Sequence, residues 1–282
     1  MDLENRVALV TGASRGVGAA TAVALARAGC HVACAARSTD ESRGRVAGTL
    51  DDTVSLIEET GRRGLALATN LAKDQAVKDM VAAAREHFGR IDILINNAGV
   101  VDYGELDIDL DRYDRTLAVN LRAPLIATRE VVPIMKAGGA GAVLNISSLA
   151  AILSQPGSLA YGIAKAGLER LTVEASRVLK PEAIAVNCLR IDVAVASAGF
   201  VANSPTLDHE GWEAPETVAE AILWMLRQPQ SYTGHVESLF DLRGRERLTT
   251  VLHTLTDLEV PPTQLVTGQD DKASAAAAAW TP

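Results

Sequence analysis

Apolar and polar positions alternate in blocks along the chain, and the period within each block predicts its element. Continuous apolar runs at 6–10, 31–36, 65–69, 91–95, 142–146, 183–189 and 235–240 read as strands buried on both faces. Longer segments between them carry apolar residues three and four apart, the spacing of one helix face. These predict helices from the turn after residue 11 to about Ala28, and over 50–61, 74–88, 110–135, 158–179 and 215–227. Gly29 stops the first helix, Asp74 is a cap candidate for the third, and Pro215 suits the first turn of the last. Strand and helix alternate throughout. This predicts one α/β domain over 1–260, doubly wound and Rossmann-type, with a mainly parallel sheet of about seven strands. Two segments interrupt the pattern. Residues 38–49 form a polar loop longer than usual, and 193–214, with Phe200 and Trp212, predicts a lid. Residues 261–282 turn to Pro, Thr, Gln, Asp and a run of alanines, which predicts a flexible tail or a short docked helix.

With 282 residues and 48% hydrophobic content, the chain can bury a large core without disulfides. No run approaches the ~20 apolar residues of a membrane span, and the first residues lack the pattern of a signal peptide. Cys30, Cys34 and Cys188 are odd in number and form no framework, so a reducing cytoplasm is expected. No clustered histidines accompany them, and no metal site is expected. A net charge of −8 argues against a nucleic-acid groove.

The first strand runs into Thr11-Gly12-Ala13-Ser14-Arg15-Gly16-Val17-Gly18 and then a helix. Glycines let a backbone approach a pyrophosphate, and the helix N-terminus offers free N–H groups and a partial positive charge. Gly12, Ser14, Arg15, Gly16, Val17 and Gly18 are therefore candidate phosphate-binding residues. The spacing is not G-x-G-x-x-G, and the motif alone also fits a plain βα turn. Arg37 follows the second strand, where a dinucleotide fold meets the adenosine ribose. An acidic residue there would suit NAD, whereas Arg37, assisted by Arg15, suits the 2′-phosphate of NADP. NADP is thus preferred over NAD, with Asp40 and Glu41 as the opposing signal and a solvated surface arginine as the alternative. Asn70-Leu71 closes the third strand, and Asn96-Asn97-Ala98-Gly99 closes the fourth with amides able to tie a loop to backbone. Pro124 lies four residues after Asn120 and removes the N–H that the Asn120 carbonyl would use, so a kink that could hold water is expected. Ser148 ends the fifth strand at the edge where ligands bind. Tyr161 and Lys165, four apart on the next helix, share a face. An ammonium beside a phenol would lower the phenol pKa and allow proton exchange with a substrate oxygen. An ordinary surface pair is the other reading of that spacing. Val101, Tyr103, Leu149, Ile152, Leu153, Val193, Phe200 and Trp212 would line an apolar pocket or belong to the core.

Taken in order, Thr11-Gly12-x-x-x-Gly16-x-Gly18, Asn96-Asn97-Ala98-Gly99, Asn120, Ser148 and Tyr161-x-x-x-Lys165 resemble the classical short-chain dehydrogenase/reductases over about residues 5–240. The segment after Arg37, with Gly48-Thr49-Leu50, is similar to the hydroxysteroid dehydrogenase-like branch. The resemblance implies an NAD(P)-dependent oxidoreductase that moves a hydride between nicotinamide and a small carbonyl or alcohol, as a homodimer or homotetramer. Carried over, Tyr161 is the general acid/base, and Lys165 lowers its pKa and binds the nicotinamide ribose. Ser148 bonds the substrate oxygen, and Asn120 holds a water that links Lys165 to solvent. Asn70, Leu71, Asn97, Ala98 and Gly99 join the glycine turn and Arg37 around the cofactor. There are departures. Asn70 stands where the family has Asp, Ile191-Asp192 and Ala196 replace its Pro-Gly and Thr, and Phe240-Asp241-Leu242 replaces its Asp-Gly-Gly. Ser197 would supply the missing hydroxyl, and Asp192 would bind substrate or cap a turn. A cofactor-binding sensor without turnover, or an epimerase or dehydratase on the same fold, are the competing functions.

Overall fold

Each apolar run becomes a strand: β1 (Val7–Thr11), β2 (His31–Ala36), β3 (Gly64–Ala68), β4 (Ile93–Asn96), β5 (Gly141–Ser148), β6 (Ile184–Ile191) and β7 (Val236–Ser238). The computed structural model describes residues 1–42, 44, 46–203 and 208–246. The expected tail at 261–282, and the domain boundary before it, lie outside them. The strands are all parallel, in the order β3-β2-β1-β4-β5-β6-β7. Parallel neighbours need crossovers, which the helices supply: α1 (Gly16–Arg27), α2 (Leu50–Glu58), α3 (Asp74–Phe88), α4 (Leu110–Leu117), α5 (Ala123–Ala137), α6 (Leu159–Leu179), α7 (Ala198–Asn203), α8 (Pro215–Arg227) and α9 (Leu239–Glu246). Successive strand residues face opposite sides, so one sheet feeds two cores. Ala8, Val10, Ile95 and Leu144 pack with α1, α8 and α9, while Leu9, Leu94, Val143 and Val186 pack with α3 and α5. Strand order reverses between β1 and β4, and there the carboxyl ends of the strands open a crevice.

Three places depart from the simple pattern. The helix expected over 110–135 is two helices joined by a π turn, Ala118–Arg122. Pro124 has no N–H for Asn120, and Ala123 N–H reaches five residues back to the Ala118 carbonyl instead. The last strand ends at Ser238, two residues early, and α9 begins at once. Buried Asp192 accepts the Phe240 N–H at 3.0 Å, which turns that backbone away from the sheet and caps the new helix. Leu239 and Leu242, three apart, are both fully buried and fix its inner face. The segment expected as a lid is tied at its base. Ala196 N–H donates to the Glu213 carbonyl at 2.8 Å, and Glu213 N–H donates to Ala194 at 2.9 Å. The Glu213 carboxylate pairs with Arg243 of α9, both buried. Residues 204–207 of this segment lie outside the described residues.

Candidate active site

A cleft of about 1280 Å³ follows the carboxyl edge of the sheet. Pockets for one drug-sized ligand span ~300–1,000 Å³, so this one has room for a dinucleotide and a substrate together. Of the residues singled out in the sequence, Gly12, Ser14, Arg15, Gly16, Val17, Gly18, Arg37, Asn70, Leu71, Asn97, Ala98, Gly99, Ser148, Tyr161 and Lys165 all line it. Asn120 stands behind the wall, fully buried.

The glycine turn is built by close approach. Gly12 and Gly16 have φ of +70° and +55°, the left-handed region that glycine occupies without penalty. A Cβ on Gly18 would lie 2.2 Å from the Gly12 carbonyl oxygen and 2.5 Å from Asn97 Nδ2. No side chain caps the start of α1, so its first N–H groups are available to an anion in the cleft. Thr11 organises the turn in a way its place in the motif did not reveal. Its hydroxyl donates to the Ile95 carbonyl at 3.2 Å and accepts the N–H groups of Asn97 (3.1 Å) and Ala98 (3.2 Å). Asn97 Nδ2 in turn donates to the Thr11 carbonyl at 2.9 Å. The Asn96 amide donates to Asn145 Oδ1 at 2.8 Å. These amides do fix the loop to neighbouring chain.

At the end of the cleft beside β2, Arg15 is committed to the loop after that strand. Its Nε donates to the Ala47 carbonyl at 2.9 Å, and its Nη2 donates to Ser38 Oγ and the Gly48 carbonyl, both at 2.8 Å. Arg37 is exposed and has no hydrogen bond or ion pair among the described residues. Burial, then the nearby Arg37 charge, lowers the pKa of Arg15, so positive charge is concentrated here. Asp40, the opposing signal in the sequence, accepts the Thr49 hydroxyl at 3.1 Å. Asn70 Oδ1 accepts the Ala72 N–H at 3.1 Å and shapes the turn after β3.

At the other end Ser148, Tyr161 and Lys165 converge. Ser148 is the last residue of β5, and its hydroxyl accepts the Ala150 N–H at 3.3 Å on the side of the strand that faces the Tyr161 phenol, whose pKa it lowers. Lys165 is buried, donates to the Ile146 carbonyl at 2.7 Å, and holds Nζ 5.5 Å from the Tyr161 ring centre. The electrostatics depart from the sequence expectation. Burial pushes the Tyr161 phenol up to about 12, against a smaller lowering by Ser148. Burial also lowers Lys165 to about 8, opposed by Cys188 and Glu169. Lys165 therefore does not by itself lower the Tyr161 pKa, because its ammonium lies over the ring and is spent on a carbonyl. Asn120 and Lys165 meet at Gly99. A Cβ there would lie 3.1 Å from Asn120 Oδ1 and 3.8 Å from Lys165 Nζ. The Asn120 side chain is used on backbone, accepting Val100 N–H (3.2 Å) and donating to the Val100 and Thr116 carbonyls (both 2.8 Å).

Sequence reasoning missed a polar brace beneath this site. Glu169 accepts Ser147 Oγ and Arg190 Nε, each at 2.8 Å, and Arg190 Nη2 at 2.7 Å. Glu169 lies one helical turn after Lys165, the spacing that had joined Tyr161 to Lys165, so the same signal would have found it. Asp192 is not in the cleft wall. Of its two readings the structure takes the cap. Ser197 reaches the glycine turn, 3.0 Å from where a Gly16 Cβ would be, but its hydroxyl accepts the Phe200 N–H at 3.3 Å. Val101, Tyr103 and Phe200 line the cleft, whereas Leu149, Leu153 and Val193 are core. Trp212 supports Phe200 from behind, ring centres 4.8 Å apart.

Comparison with known proteins agrees with this geometry. The family model described as short chain dehydrogenase matches residues 6–196. The chain belongs to this family. It is 35% identical over 173 residues to an uncharacterized oxidoreductase of Thermotoga maritima, covering 61% of this chain and 65% of that protein. The match thus spans just under two thirds of that relative's length. It is 30% identical over 238 residues to a 3-oxoacyl-[acyl-carrier-protein] reductase of Synechocystis, covering 84% of this chain and 90% of that one. A short chain dehydrogenase structure from Mycobacterium thermoresistibile superposes with a TM-score of 0.77 at 28% identity, covering 86% of this chain and 88% of that one. Among the described residues no helix is long and apolar enough to cross a membrane.

The family's nicotinamide dinucleotide fits the cleft. Gly12, Gly16 and Gly18 leave backbone where a Cβ would clash, and an uncapped helix start and an exposed arginine face the same groove.

Proposed function

We propose that this chain is an NADP-dependent carbonyl reductase or alcohol dehydrogenase acting on a small molecule. The observation that carries the reading is one continuous cleft, with an anion cradle and Arg37 at one end and Ser148, Tyr161 and Lys165 at the other. The name of the Synechocystis relative, a reductase of 3-oxoacyl groups, supports carbonyl chemistry. When bound, the dinucleotide supplies or receives the hydride. The rest falls to the chain. Residues 12–18 hold the pyrophosphate through backbone N–H groups. Arg37 takes the 2′-phosphate, while Arg15 anchors the loop behind it. Ser148 donates to the substrate oxygen and orients it, and Tyr161 gives that oxygen its proton. A phenol held near 12 is protonated at neutral pH, which suits the reductive direction. Lys165, still protonated at pH 7, binds the ribose hydroxyls, and Asn120 positions the backbone around Gly99. Both Asn120 side-chain N–H groups are used on backbone carbonyls, so a relay from Lys165 to solvent would use an acceptor of this residue, its main-chain carbonyl or the second lone pair of Oδ1.

Two measurements test this reading. NADPH absorbance should fall when enzyme meets at least one ketone or aldehyde from an aliphatic, cyclic and 3-oxoacyl panel; no change with any of them would reject carbonyl reduction. Arg37→Asp should weaken NADP binding by about 1.5–3 kcal/mol or more, and NAD binding much less, because it replaces a charge-assisted bond by repulsion. Equal loss for both cofactors would place Arg37 away from the ribose.

We infer a cytoplasmic protein from three buried, unpaired cysteines, and a homo-oligomer from Leu125, Ile163, Val173 and Val178, which leave large apolar side chains exposed on α5 and α6. Sedimentation should give a dimer or tetramer at micromolar concentration. A monomer throughout would reject self-association.

A further inference from the structure

Gln155 sits in the loop before α6 and lines the same cleft as Tyr161. Its Nε2 is shut off from solvent and has no hydrogen-bond partner among the described residues. Two other buried side-chain atoms share that condition, on Thr21 and Gln230, and both lie away from the cleft. A buried amide N–H₂ without an acceptor is costly, and native proteins keep few of them. The Gln155 main chain is fixed, its carbonyl accepting the Ser158 N–H at 3.1 Å and the Ser158 hydroxyl at 2.8 Å. The loop is stitched to the opposite lip, with Gly104 N–H donating to the Gly157 carbonyl at 2.8 Å and Gly157 N–H donating to Glu105 Oε1 at 2.5 Å.

A donor in the cleft wall that lacks an acceptor can be met by a second acceptor on a molecule bound in the cleft that Tyr161 also lines, once the amide turns into it. We propose that Gln155 is a substrate-binding residue that selects ketones and alcohols carrying a second oxygen acceptor, a carbonyl or carboxylate, besides the reacting one. The inference rests on the reductase reading above. A site that must satisfy a buried donor rejects the analogue without the acceptor, because the donor is then left unpaired.

Three ketones of similar length separate the possibilities: ethyl 3-oxobutanoate and ethyl 4-oxopentanoate, which carry the second carbonyl at two spacings, and heptan-2-one, which lacks it. Wild type should prefer at least one oxo ester in kcat/KM. Gln155→Leu should lose about tenfold or more on that ester, mainly in KM, and keep or improve its rate on heptan-2-one. Gln155→Glu, which replaces the donor by an acceptor, should lose the ester preference as fully. Retention of the preference in Gln155→Leu, or in Gln155→Glu, overturns the proposal, as does equal loss on all three ketones. Failure of the reductase reading shows differently, as no turnover of any ketone by wild type. In that case calorimetry with NADP present and the alcohol ethyl 3-hydroxybutanoate decides. Binding to wild type and not to Gln155→Leu sustains the subsite without turnover, and binding to neither overturns it.

Discussion

Tyr161→Phe should lower kcat/KM for carbonyl reduction by about 10²–10⁴-fold, the usual contribution of a positioned general acid, and leave NADP affinity nearly unchanged. The ring stays and keeps its packing, while the phenol beside Ser148 is lost. Lys165→Met should lose turnover and cofactor affinity together if, as proposed, the buried ammonium beside Gly99 binds the ribose and holds the cofactor against Tyr161. The double variant should turn over little more slowly than Tyr161→Phe, since groups that act as a unit are not additive. The phenol pKa adds a pH dependence. With burial holding it at about 12, the proton needed for reduction is present throughout the neutral range, so the phenol itself adds no pH dependence there, and any fall in reduction from about pH 8 upward follows the loss of the Lys165 proton. Alcohol oxidation needs the phenolate, so its rate should climb as pH rises. Steady-state kinetics from pH 6 to 10 in both directions checks this. A Tyr161→Phe enzyme retaining a tenth of the wild-type rate would end the assignment.

The second large effect is on stability. Asp192 is 1% exposed, and burial raises its pKa from 3.8 to about 6, partly offset by bonds from Ser238 and the Phe240 N–H. Below pH 3.8 the carboxyl is protonated in both folded and unfolded chains, and its contribution is fully present. Between there and about 6 the unfolded chain gives up this proton and the folded chain keeps it. Stability from this group is therefore lost as pH rises through that window, on the order of 3 kcal/mol by pH 7. Asp192→Asn has no proton to lose, and its Oδ1 can still accept the Phe240 N–H. It should be more stable than wild type by up to about 3 kcal/mol at pH 7.5 and nearly equal at pH 4. Urea unfolding at the two pH values measures the difference. The same gap at both would show that Asp192 does not titrate between them.

The seven strands, their parallel pairing and the place of the cleft were legible in the sequence, because a buried parallel strand is a short apolar run and a crossover helix has its own period. Gly12, Gly16 and Gly18 were legible because backbone contact leaves no room for a side chain. Ser148 was legible because it closes an apolar strand, and Tyr161 and Lys165 because four residues bring two side chains onto one helix face. What the sequence could not express is which way a polar group turns once it is buried. Spacing placed Lys165 near Tyr161, but only the packed structure sends its ammonium to the Ile146 carbonyl and leaves the phenol raised. Asp192 had two readings until β6 and α9 came together and made it a cap. Arg243 and Glu213 look like surface charges thirty positions apart, and become a buried pair because α9 folds over the end of the sheet. Each of these outcomes depends on desolvation and on partners distant in the chain. Local pattern carries neither, and so the sequence alone determined which residues meet at the carboxyl edge of the sheet, while tertiary packing decided the charge and the hydrogen-bond partner of each group there.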